Sequence, residues 1–332
     1  MGKAACLFLA VLAFPSVSSV SSAALIVQSS AVRGEWTADS RYTWRGDDGE
    51  PRVQFNLRSS LGDSRWGFGV RITELTGFPQ AAFSAAANNI QFSWTREAGT
   101  FRFSGSFDGG RGAGDYTFTQ DQTFITNMAQ AGYKNLSPDD VVRMAMNDLT
   151  IAHVRGLAQV GYAQLSIDDL VRTRIHNATP EFVKAIQAVG IRGLAVDDLI
   201  RFRIHKVTPE LIKGLSDRGY KTVVADDLVR MRVHNVTLEE IDQFKAVGFS
   251  GMDVDDLVKF RIHKVTPEYI KSMKDVGFMT LTEDQLVKMR IHKVDAQFVK
   301  DARADGLQVI SPNDAIDLAI HGPRWKRRQG GA

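Results

Sequence analysis

Hydrophobic and polar residues alternate along residues 33–119 of the chain. Val53, Phe55 and Leu57, for example, are separated by single polar residues. A period of two is typical of strands that are buried on one face. With turn-rich gaps between the runs, the pattern predicts five or six antiparallel strands in meander order, folded as a small sandwich or a partial barrel. An Ala-rich stretch at residues 77–89 interrupts the pattern and predicts a short helix or a lid.

After residue 119 the pattern becomes a repeat. Glycine recurs every 29 residues, at Gly132, Gly161, Gly190, Gly219, Gly248, Gly277 and Gly306. Histidine recurs with the same period, at His176, His205, His234, His263, His292 and His321. Asn147 fills the preceding slot of the histidine series, whereas His153 is out of phase and aligns with Phe182. A fixed period of this length predicts an α-solenoid of seven two-helix repeats over residues 119–321.

One repeat, residues 165–191, shows why each unit forms two short helices. Ser166 and Thr179 have the side chains that helix N-caps prefer, and Pro180 follows Thr179 at a first helical position. Gly190 suits the left-handed residue that ends a helix. Helices of about ten residues are unstable alone in water, so each must pack its apolar stripe against neighbouring repeats.

The first helix of each repeat carries a column of charged residues. A rotation of 100° per residue places Asp169, Arg172 and His176 on one face. The cations and histidines of this face are the candidate binding residues: Arg172, His176, Arg201, His205, Arg230, His234, Lys259, His263, Lys288 and His292.

A second column of arginines points into the apolar arc that Leu170, Val171 and Ile175 define. An arginine in such a place must be paired, because burying an unpaired charge is costly. We therefore expect a partly buried ladder in which each arginine bonds a carbonyl or an acid of an adjacent repeat. Its members are Arg174, Arg203, Arg232, Arg261 and Arg290.

The periodic histidines suggest a metal array or a pH switch. The ligands of one Zn²⁺ must lie within about 2.1 Å of the ion, whereas adjacent repeats are on the order of 10 Å apart. Equivalent histidines therefore cannot share an ion, and we expect no metal site. The favoured role is structural, with each ring at a helix end bonding terminal carbonyls. A protonation-sensitive surface is the second interpretation.

Paired aspartates in the first helices suggest calcium binding or carboxylate catalysis. They occupy the second and third helical positions, where acids complement the helix dipole, so capping is the favoured role. The sequence has no zinc-peptidase motif, nucleophile elbow, phosphate-binding loop or dinucleotide fingerprint. Its single cysteine, Cys6, excludes a disulfide framework. We expect a protein that is not an enzyme and that has no cofactor.

The composition is that of a globular protein, with 332 residues, 44% of them hydrophobic and 24% charged. The net charge of +3 is unevenly distributed, since residues 24–118 are neutral and residues 119–321 carry −2. A near-neutral body argues against a nucleic-acid partner. Residues 322–332 carry +4 and predict a basic, disordered tail, with contact to an anionic surface as the alternative.

The N-terminus has the anatomy of a secretory signal peptide over residues 1–23. Lys3 precedes an apolar run, and small residues lead to a predicted cleavage after Ala23. The apolar run is about 14 residues long, whereas a membrane-spanning helix needs roughly 20. We therefore expect no membrane span in the mature chain and an extracytoplasmic location, periplasmic or secreted.

The repeat also supports a resemblance. The pattern Leu-Thr-x-Asp-x-Leu-Val-x-x-Arg-Ile-His-x-Val-Thr-Pro-Glu-Tyr-Ile-Lys resembles the helical repeats of some bacterial membrane-embedded antirepressor metallopeptidases of the BlaR/MecR type. It also resembles standalone secreted bacterial proteins of unknown function. Residues 99–103 and 112–118 resemble the segment that precedes those repeats, and the likeness covers residues 33–321. Because the zinc motif and the membrane helices of the peptidase are absent, the resemblance implies only the accessory, extracytoplasmic part of such a system.

These observations predict an exported binding or scaffold protein in which a β domain, residues 24–118, precedes the solenoid. The solenoid surface would bind a protein or a peptide. One alternative is a small-ligand or glycan carrier that uses the tryptophans of the β domain, Trp36, Trp44, Trp66 and Trp94. The other is a nucleic-acid reader with one repeat per base, which the arginine columns favour and the overall charge opposes.

Overall fold

The computed structural model describes residues 31–39, 50, 52–60, 64–79 and 85–322. This part of the chain has a two-domain α+β architecture, in which a curled antiparallel sheet precedes a repeat array of helices. The predicted partial barrel and helical repeats are therefore confirmed. The predicted signal peptide, Cys6 and residues 323–332 of the predicted tail lie outside the described residues.

Seven strands form a single sheet in the described residues. They are β1 (Val32–Asp39), β2 (Arg52–Ser59), β3 (Arg65–Arg71), β4 (Leu75–Thr76), β5 (Ala87–Arg96), β6 (Gly99–Asp108) and β7 (Arg111–Gln120). In β2, Val53, Phe55 and Leu57 are buried while Asn56 and Arg58 are exposed, as the alternation predicts. The Ala-rich stretch at residues 77–89 lies partly outside the described residues, and β5 begins within it.

The strand order differs from the predicted meander. The order is β3-β2-β1-β7-β6-β5-β4, so the first and last strands pair, with Val32 opposite Phe118. The strands β3 and β4 are consecutive in the chain but are not paired, which leaves the curled sheet open between them. The predicted meander holds for five of the six consecutive strand pairs and fails between β3 and β4, because alternation identifies the buried face of a strand and not its partner.

Two glycines allow β6 and β7 to lie close together where the sheet curls. Gly105 and Gly114 face each other across the two strands. A Cβ atom on Gly114 would lie 2.0 Å from the carbonyl oxygen of Ser104. One on Gly105 would lie 2.2 Å from the carbonyl oxygen of Ala113. Any side chain at these positions would push the strands apart.

Aromatic side chains fill the interior of the curled sheet. The ring of Trp36 lies 5.6 Å from that of Phe92 and 6.1 Å from that of Phe103. Phe68 of β3 stacks on Trp94 of β5 at 5.0 Å, so side chains cross the opening that the backbone leaves. Trp36 and Trp94 are only 1% and 2% exposed, which makes them core residues.

Fourteen helices follow within the described residues. They are α1 (Gln122–Gln130), α2 (Pro138–Met146), α3 (Ile151–Gln159), α4 (Ile167–Ile175), α5 (Pro180–Ala188), α6 (Val196–Ile204), α7 (Pro209–Asp217), α8 (Ala225–Val233), α9 (Leu238–Ala246), α10 (Val254–His263), α11 (Pro267–Asp275), α12 (Glu283–Ile291), α13 (Ala296–Ala304) and α14 (Pro312–His321). The even-numbered helices are the first helices of the repeats, and the odd-numbered helices are the second.

The helix ends are built as the sequence predicts. The hydroxyl of Ser166 accepts a hydrogen bond from the third helical N–H of α4 at 3.0 Å, and that of Thr179 does the same for α5 at 3.3 Å. Pro180 is the first residue of α5. Gly190 follows α5 with a φ of +98°, the left-handed conformation that closes the helix.

The helices pack in two layers. Each even helix contacts the next even helix, and most odd helices contact the next odd one. The first even helix, α2, also packs on β6 and β7, which joins the array to the sheet. The extensive helix contacts therefore join neighbouring repeats, as a solenoid requires.

The buried core is divided inside the array. One cluster begins at Val32 in the sheet and extends through the first helices to Leu199 in α6. The second begins at Ile186 in α5 and continues to Leu318 in α14. The first repeats thus share their core with the sheet, and the later repeats form a core of their own.

Candidate binding surface

The charged column of the even helices is held by ion pairs. Arg172 donates to Asp169 of its own helix at 2.9 Å and to Asp197 of the next repeat at 2.7 Å. Arg201 makes the same two contacts at 3.0 and 2.6 Å, and Arg230 at 3.2 and 2.6 Å. Each of these arginines therefore joins two repeats, and its charge is balanced by two carboxylates.

The paired aspartates have different partners. Asp169, the second of its pair, bonds the capping hydroxyl of Ser166 and the arginine of its own helix. Asp197, the first of the next pair, instead receives the arginine of the preceding repeat. The sequence predicted the capping role and missed the bond between repeats. The signal that could have found it is the recurrent separation of 25 residues between arginine and aspartate.

The charged column changes toward the C-terminal end of the array. Lys259 pairs with Asp256 of its own helix at 3.1 Å. Lys288 takes part in no ion pair among the residues that the structure describes. Gln285 stands where earlier repeats have aspartate, and its amide bonds Asn313 at 3.1 Å. Positive charge is thus balanced in the early repeats and less so in the repeats of α10 and α12.

The second arginine column bonds the carbonyl that ends the preceding even helix. In Arg232, Arg261 and Arg290 the Nε donates to the carbonyl of the histidine at that helix end, at 3.2–3.3 Å. The Nε of Arg174 donates to the carbonyl of Asp148, one residue past the equivalent position, at 2.9 Å. Arg203 differs, because its Nε has no hydrogen-bond partner among the described atoms. Its guanidinium lies instead 4.9 Å from the centre of the Phe182 ring.

The periodic histidines stand at the ends of the even helices, with His176 as the C-cap of α4. The prediction that their rings bond terminal carbonyls is wrong. Those carbonyls accept backbone N–H groups, from Asn177 at 3.2 Å and from Ala178 at 2.8 Å. Asn177 has a φ of +56°, which lets the backbone close the helix by itself. Along the described chain, no imidazole of this series makes a hydrogen bond.

A row of exposed aliphatic side chains runs along the even helices. Ile175 was predicted to be part of the buried arc, yet it is 56% exposed. Equivalent residues of later repeats are exposed to a similar extent. We call the following set the aliphatic row: Ile175, Ile204, Val233, Ile262, Ile291 and Ile320.

Helix geometry explains why Ile175 was misplaced. The buried residues of α4 are Leu170, Val171 and Thr173. At about 100° per residue, Ile175 lies roughly 140° from Leu170, outside that sector. Arg172 lies three residues before Ile175, so the two share the exposed face. The charged column and the aliphatic row therefore run side by side along the array.

Two polar residues, His153 and Thr173, lie in the core near the sheet, at positions where the next repeat has phenylalanine. The ring of His153 is buried and lies 3.0 Å from the hydroxyl of Thr173, which itself donates to the carbonyl of Leu170. Burial, assisted by the charge of Arg174, lowers the pKa of His153 to about 4. The ring is therefore neutral at pH 7. The out-of-phase position of His153 was the only sequence signal for this pair.

A charged network joins the sheet to the array. Glu74 accepts hydrogen bonds from Arg71, Trp94 and Arg96. Burial raises the pKa of Glu74, but the bond from Arg71 and the charge of Arg96 outweigh it and lower the pKa overall. Arg96 also lies 3.6 Å from Asp148, at the end of α2. This network fixes the first repeat against the sheet.

The interior of the sheet gives little support to the carrier alternative. Trp36 and Trp94 donate their indole N–H groups to Ser104 and Glu74, so both rings are fixed in the core. Trp66 is half-buried, and Trp44 lies outside the described residues.

A surface cavity of about 570 Å³ lies between the loops that precede α8 and α10. Most of its charged lining is already paired, since Arg230 contacts both Asp227 and Asp255, whereas Lys221 makes no ion pair among the described residues. The cavity therefore offers little free charge to a ligand.

Neither a metal cluster nor a membrane-spanning helix is found among the residues that the structure describes. No group of three or more His, Cys, Asp or Glu side chains in these residues is arranged to hold a metal ion. No helix in the same residues has the length and apolar character needed to cross a membrane.

Comparison with known proteins adds no relative. No protein-family model, no curated protein and no solved structure matches the chain. The resemblance to the repeats of BlaR/MecR-type metallopeptidases therefore stays a prediction from the repeat pattern.

Proposed function

We propose that the protein is a non-enzymatic binding or scaffold protein whose array holds an elongated segment of another protein along the aliphatic row. The observation that carries this proposal is the recurrence of one half-exposed aliphatic side chain at the same position in six repeats. Single exposed aliphatic residues are common on protein surfaces. A row that recurs along an array, with charged residues beside it, instead gives a partner several apolar contacts in line, as interaction surfaces do.

The energetics fit such a role. Fully burying an Ile or Val side chain is worth about 1.5–3 kcal/mol, so covering the exposed half of several gives a useful binding energy. The arginines beside the row are fixed by ion pairs on both sides. A partner would meet side chains that are already ordered, which reduces the entropy lost on binding.

The same contacts weigh against the alternatives. A nucleic-acid reader needs cations that are free to meet phosphates, whereas Arg172, Arg201 and Arg230 each pair with two aspartates. A catalytic site needs polar groups that converge on one point. The charged residues of the array are instead spread evenly along its length. The extracytoplasmic location is the part of the proposal that rests on the predicted signal peptide alone.

The test is selection of binding peptides from a random library displayed on phage, with the purified chain as bait. The row variant combines Ile204→Ser, Val233→Ser and Ile262→Ser. The control changes two apolar residues outside the row that are even more exposed, Met279→Ser and Ile310→Ser. Selected peptides should bind the wild type and the control equally and the row variant at least tenfold more weakly. Peptides that bind all three proteins equally would refute the proposal.

A further inference from the structure

We infer that the aliphatic row takes an acidic amphipathic helix of its partner at Ile262 and Ile291. This inference rests on the proposed function, because it specifies the chemistry of the partner at the same surface. The two residues are 52% and 51% exposed. They lie in consecutive even helices, α10 and α12, which are in direct contact.

Lysines surround both aliphatic side chains in the same way. Lys259 lies one helical turn before Ile262, and Lys288 holds the same position before Ile291. Each isoleucine is also followed two residues later by an exposed lysine, Lys264 in one repeat and Lys293 in the next. The two repeats therefore present the same unit, an aliphatic side chain between two amines.

Three acids of these repeats are already engaged, whereas Asp284 and Asp317 make no ion pair among the described residues. The carboxylate of Glu240 accepts from Arg261 at 2.8 Å. That of Asp295 caps α13 by accepting from the backbone of Phe298 at 2.8 Å. At the start of α11, the carboxylate of Glu268 is hydrogen-bonded to its own backbone N–H and to the side chain of Thr266. These bonds lower the pKa of Glu268. These acids are thus committed to helix ends and to an arginine.

Most of the lysines around the two isoleucines, in contrast, are not neutralised by an ion pair. Among the described residues, no ion pair involves Lys264, Lys288 or Lys293. Lys259 pairs with Asp256, one turn away on its own helix, and also feels the charges of Asp253 and Asp284, so it has the least free charge of the four lysines. A partner with carboxylates beside its apolar residues would therefore complement this surface.

The backbone supplies an independent observation. Lys264 and Lys293 each have a φ of +56°, in the left-handed region that disfavours lysine. Lys206 has the same conformation in an earlier repeat, while Asn177 and Asn235 occupy the equivalent positions of two others, and asparagine tolerates this conformation well. The two repeats thus carry an amine at a cost in backbone strain. Such strain is concentrated where a side chain serves a function.

The spacing of the aliphatic row fits a helix of the partner better than a strand. Packed helices lie about 8–10 Å apart, so Ile262 and Ile291 should be separated by a similar distance. Residues seven apart in a helix are about 10.5 Å apart on one face. Residues on one face of a strand recur at about 6.6 Å, which does not fit. The partner is therefore a helix with aliphatic residues seven apart and Asp or Glu beside them.

The test uses three fluorescent synthetic helices and the full chain, with binding measured by fluorescence anisotropy. The first peptide has two leucines seven residues apart, flanked by glutamates. The second has lysines in place of the glutamates, and the third has the composition of the first with the leucine spacing scrambled. The first should bind at least tenfold more tightly than either of the others, and added salt should weaken it. Equal binding of the acidic and basic peptides would overturn the inference.

Substitution of Lys264 and Lys293 tests whether these two lysines contribute to peptide binding. Lys264→Asn with Lys293→Asn removes two charges and introduces the residue that already fits this conformation at Asn177, so folding is preserved. This pair should weaken the acidic peptide about fivefold, as expected for two exposed charge contacts. The control is Lys271→Gln with Lys300→Gln, two exposed lysines one repeat apart in the odd layer, and it should have no effect.

A third variant, Ile262→Ser with Ile291→Ser, separates the inference from the proposed function. Loss of peptide binding in this variant, with no effect of the lysine pair, would refute the acidic partner and leave the row as the binding surface. No binding of any peptide, or binding that neither pair alters, would refute the inference. Failure of the phage selection as well would refute the proposed function.

Discussion

The sheet and the helical array bring residues together in opposite ways. The sheet joins its first and last strands, β1 and β7, so its core depends on contacts between distant parts of the chain. In the array, every even helix and most odd helices contact the helix two places along, so the same contact recurs with the repeat. The sheet must therefore form as one unit, whereas the array can form by adding one repeat to the next.

The boundary between the two buried cores does not coincide with the boundary between the sheet and the helices. The cluster that contains the sheet extends to Leu199, and the contact between α5 and α7 is sparser than the other contacts between odd helices. The first repeats are thus part of the sheet's cooperative unit. The boundary of cooperative unfolding should lie near α5 and α6 and not at the end of β7.

The strongest test of this comparison is Gly114→Val. The new side chain would collide with the backbone of β6, where even a Cβ atom would lie 2.0 Å from the oxygen of Ser104. The sheet should lose about 3 kcal/mol or more of unfolding free energy. Hydrogen exchange should then show lost protection in the sheet and in α1–α4, with α8–α14 still protected.

The matched control for that variant is Ala113→Val, on the neighbouring exposed position of β7. It adds a larger side chain to solvent and should change stability by less than about 0.5 kcal/mol. Uniform loss of protection over all fourteen helices in Gly114→Val would contradict the division of the core.

The second test measures how the free energy of unfolding depends on pH. Burial holds the pKa of His153 at about 4, below the ordinary value near 6.5, so the unfolded chain binds a proton that the folded chain refuses. Stability should fall as the pH drops from about 6.5 toward 4, by roughly 2–3 kcal/mol in all. Urea unfolding at several pH values measures this. In His153→Gln that part of the pH dependence should disappear, and an unchanged slope would show that other groups cause it.

Local chemistry made most of the array predictable. The period, the caps at Ser166 and Thr179 and the turn at Gly190 are all set within one repeat, so they can be read from a single copy. The β1–β7 pairing could not be predicted, because strand alternation carries no information on partners. The curl also depends on Gly105 and Gly114, whose close approach only a three-dimensional structure shows.

The candidate surface was predicted in part. The sequence correctly placed Arg172 beside Asp169, but it put Ile175 in the core because a residue four positions after Val171 was taken to share its face. Bonds between repeats were also missed, such as the one from Tyr162 to the carbonyl of Leu194 at 2.8 Å. These bonds join residues whose distance depends on how neighbouring hairpins stack.

A third prediction concerns caps within the array. The N-cap positions of α6 and α8 hold Ala195 and Val224, and neither helix has a side-chain cap. Ala195→Ser and Val224→Ser should each stabilise the protein by about 1 kcal/mol, measured by urea unfolding. Ser166→Ala in α4 should destabilise it by a similar amount, since it removes a cap that is present. If Val224→Ser raises only the transition of the later repeats, the two cores unfold separately.

The smallest expected effect tests whether the left-handed lysines are strained. Lys206 has a φ of +55°, and Asn235 has the same conformation in the next repeat. Lys206→Asn should stabilise the protein by about 0.5 kcal/mol, because asparagine tolerates the left-handed region better. Gly190→Ala should act in the opposite direction by about 1 kcal/mol, since glycine already relieves strain there. If Lys206→Asn is neutral or destabilising, lysine is not strained in this conformation. The argument from backbone strain for a function of Lys264 and Lys293 would then fail.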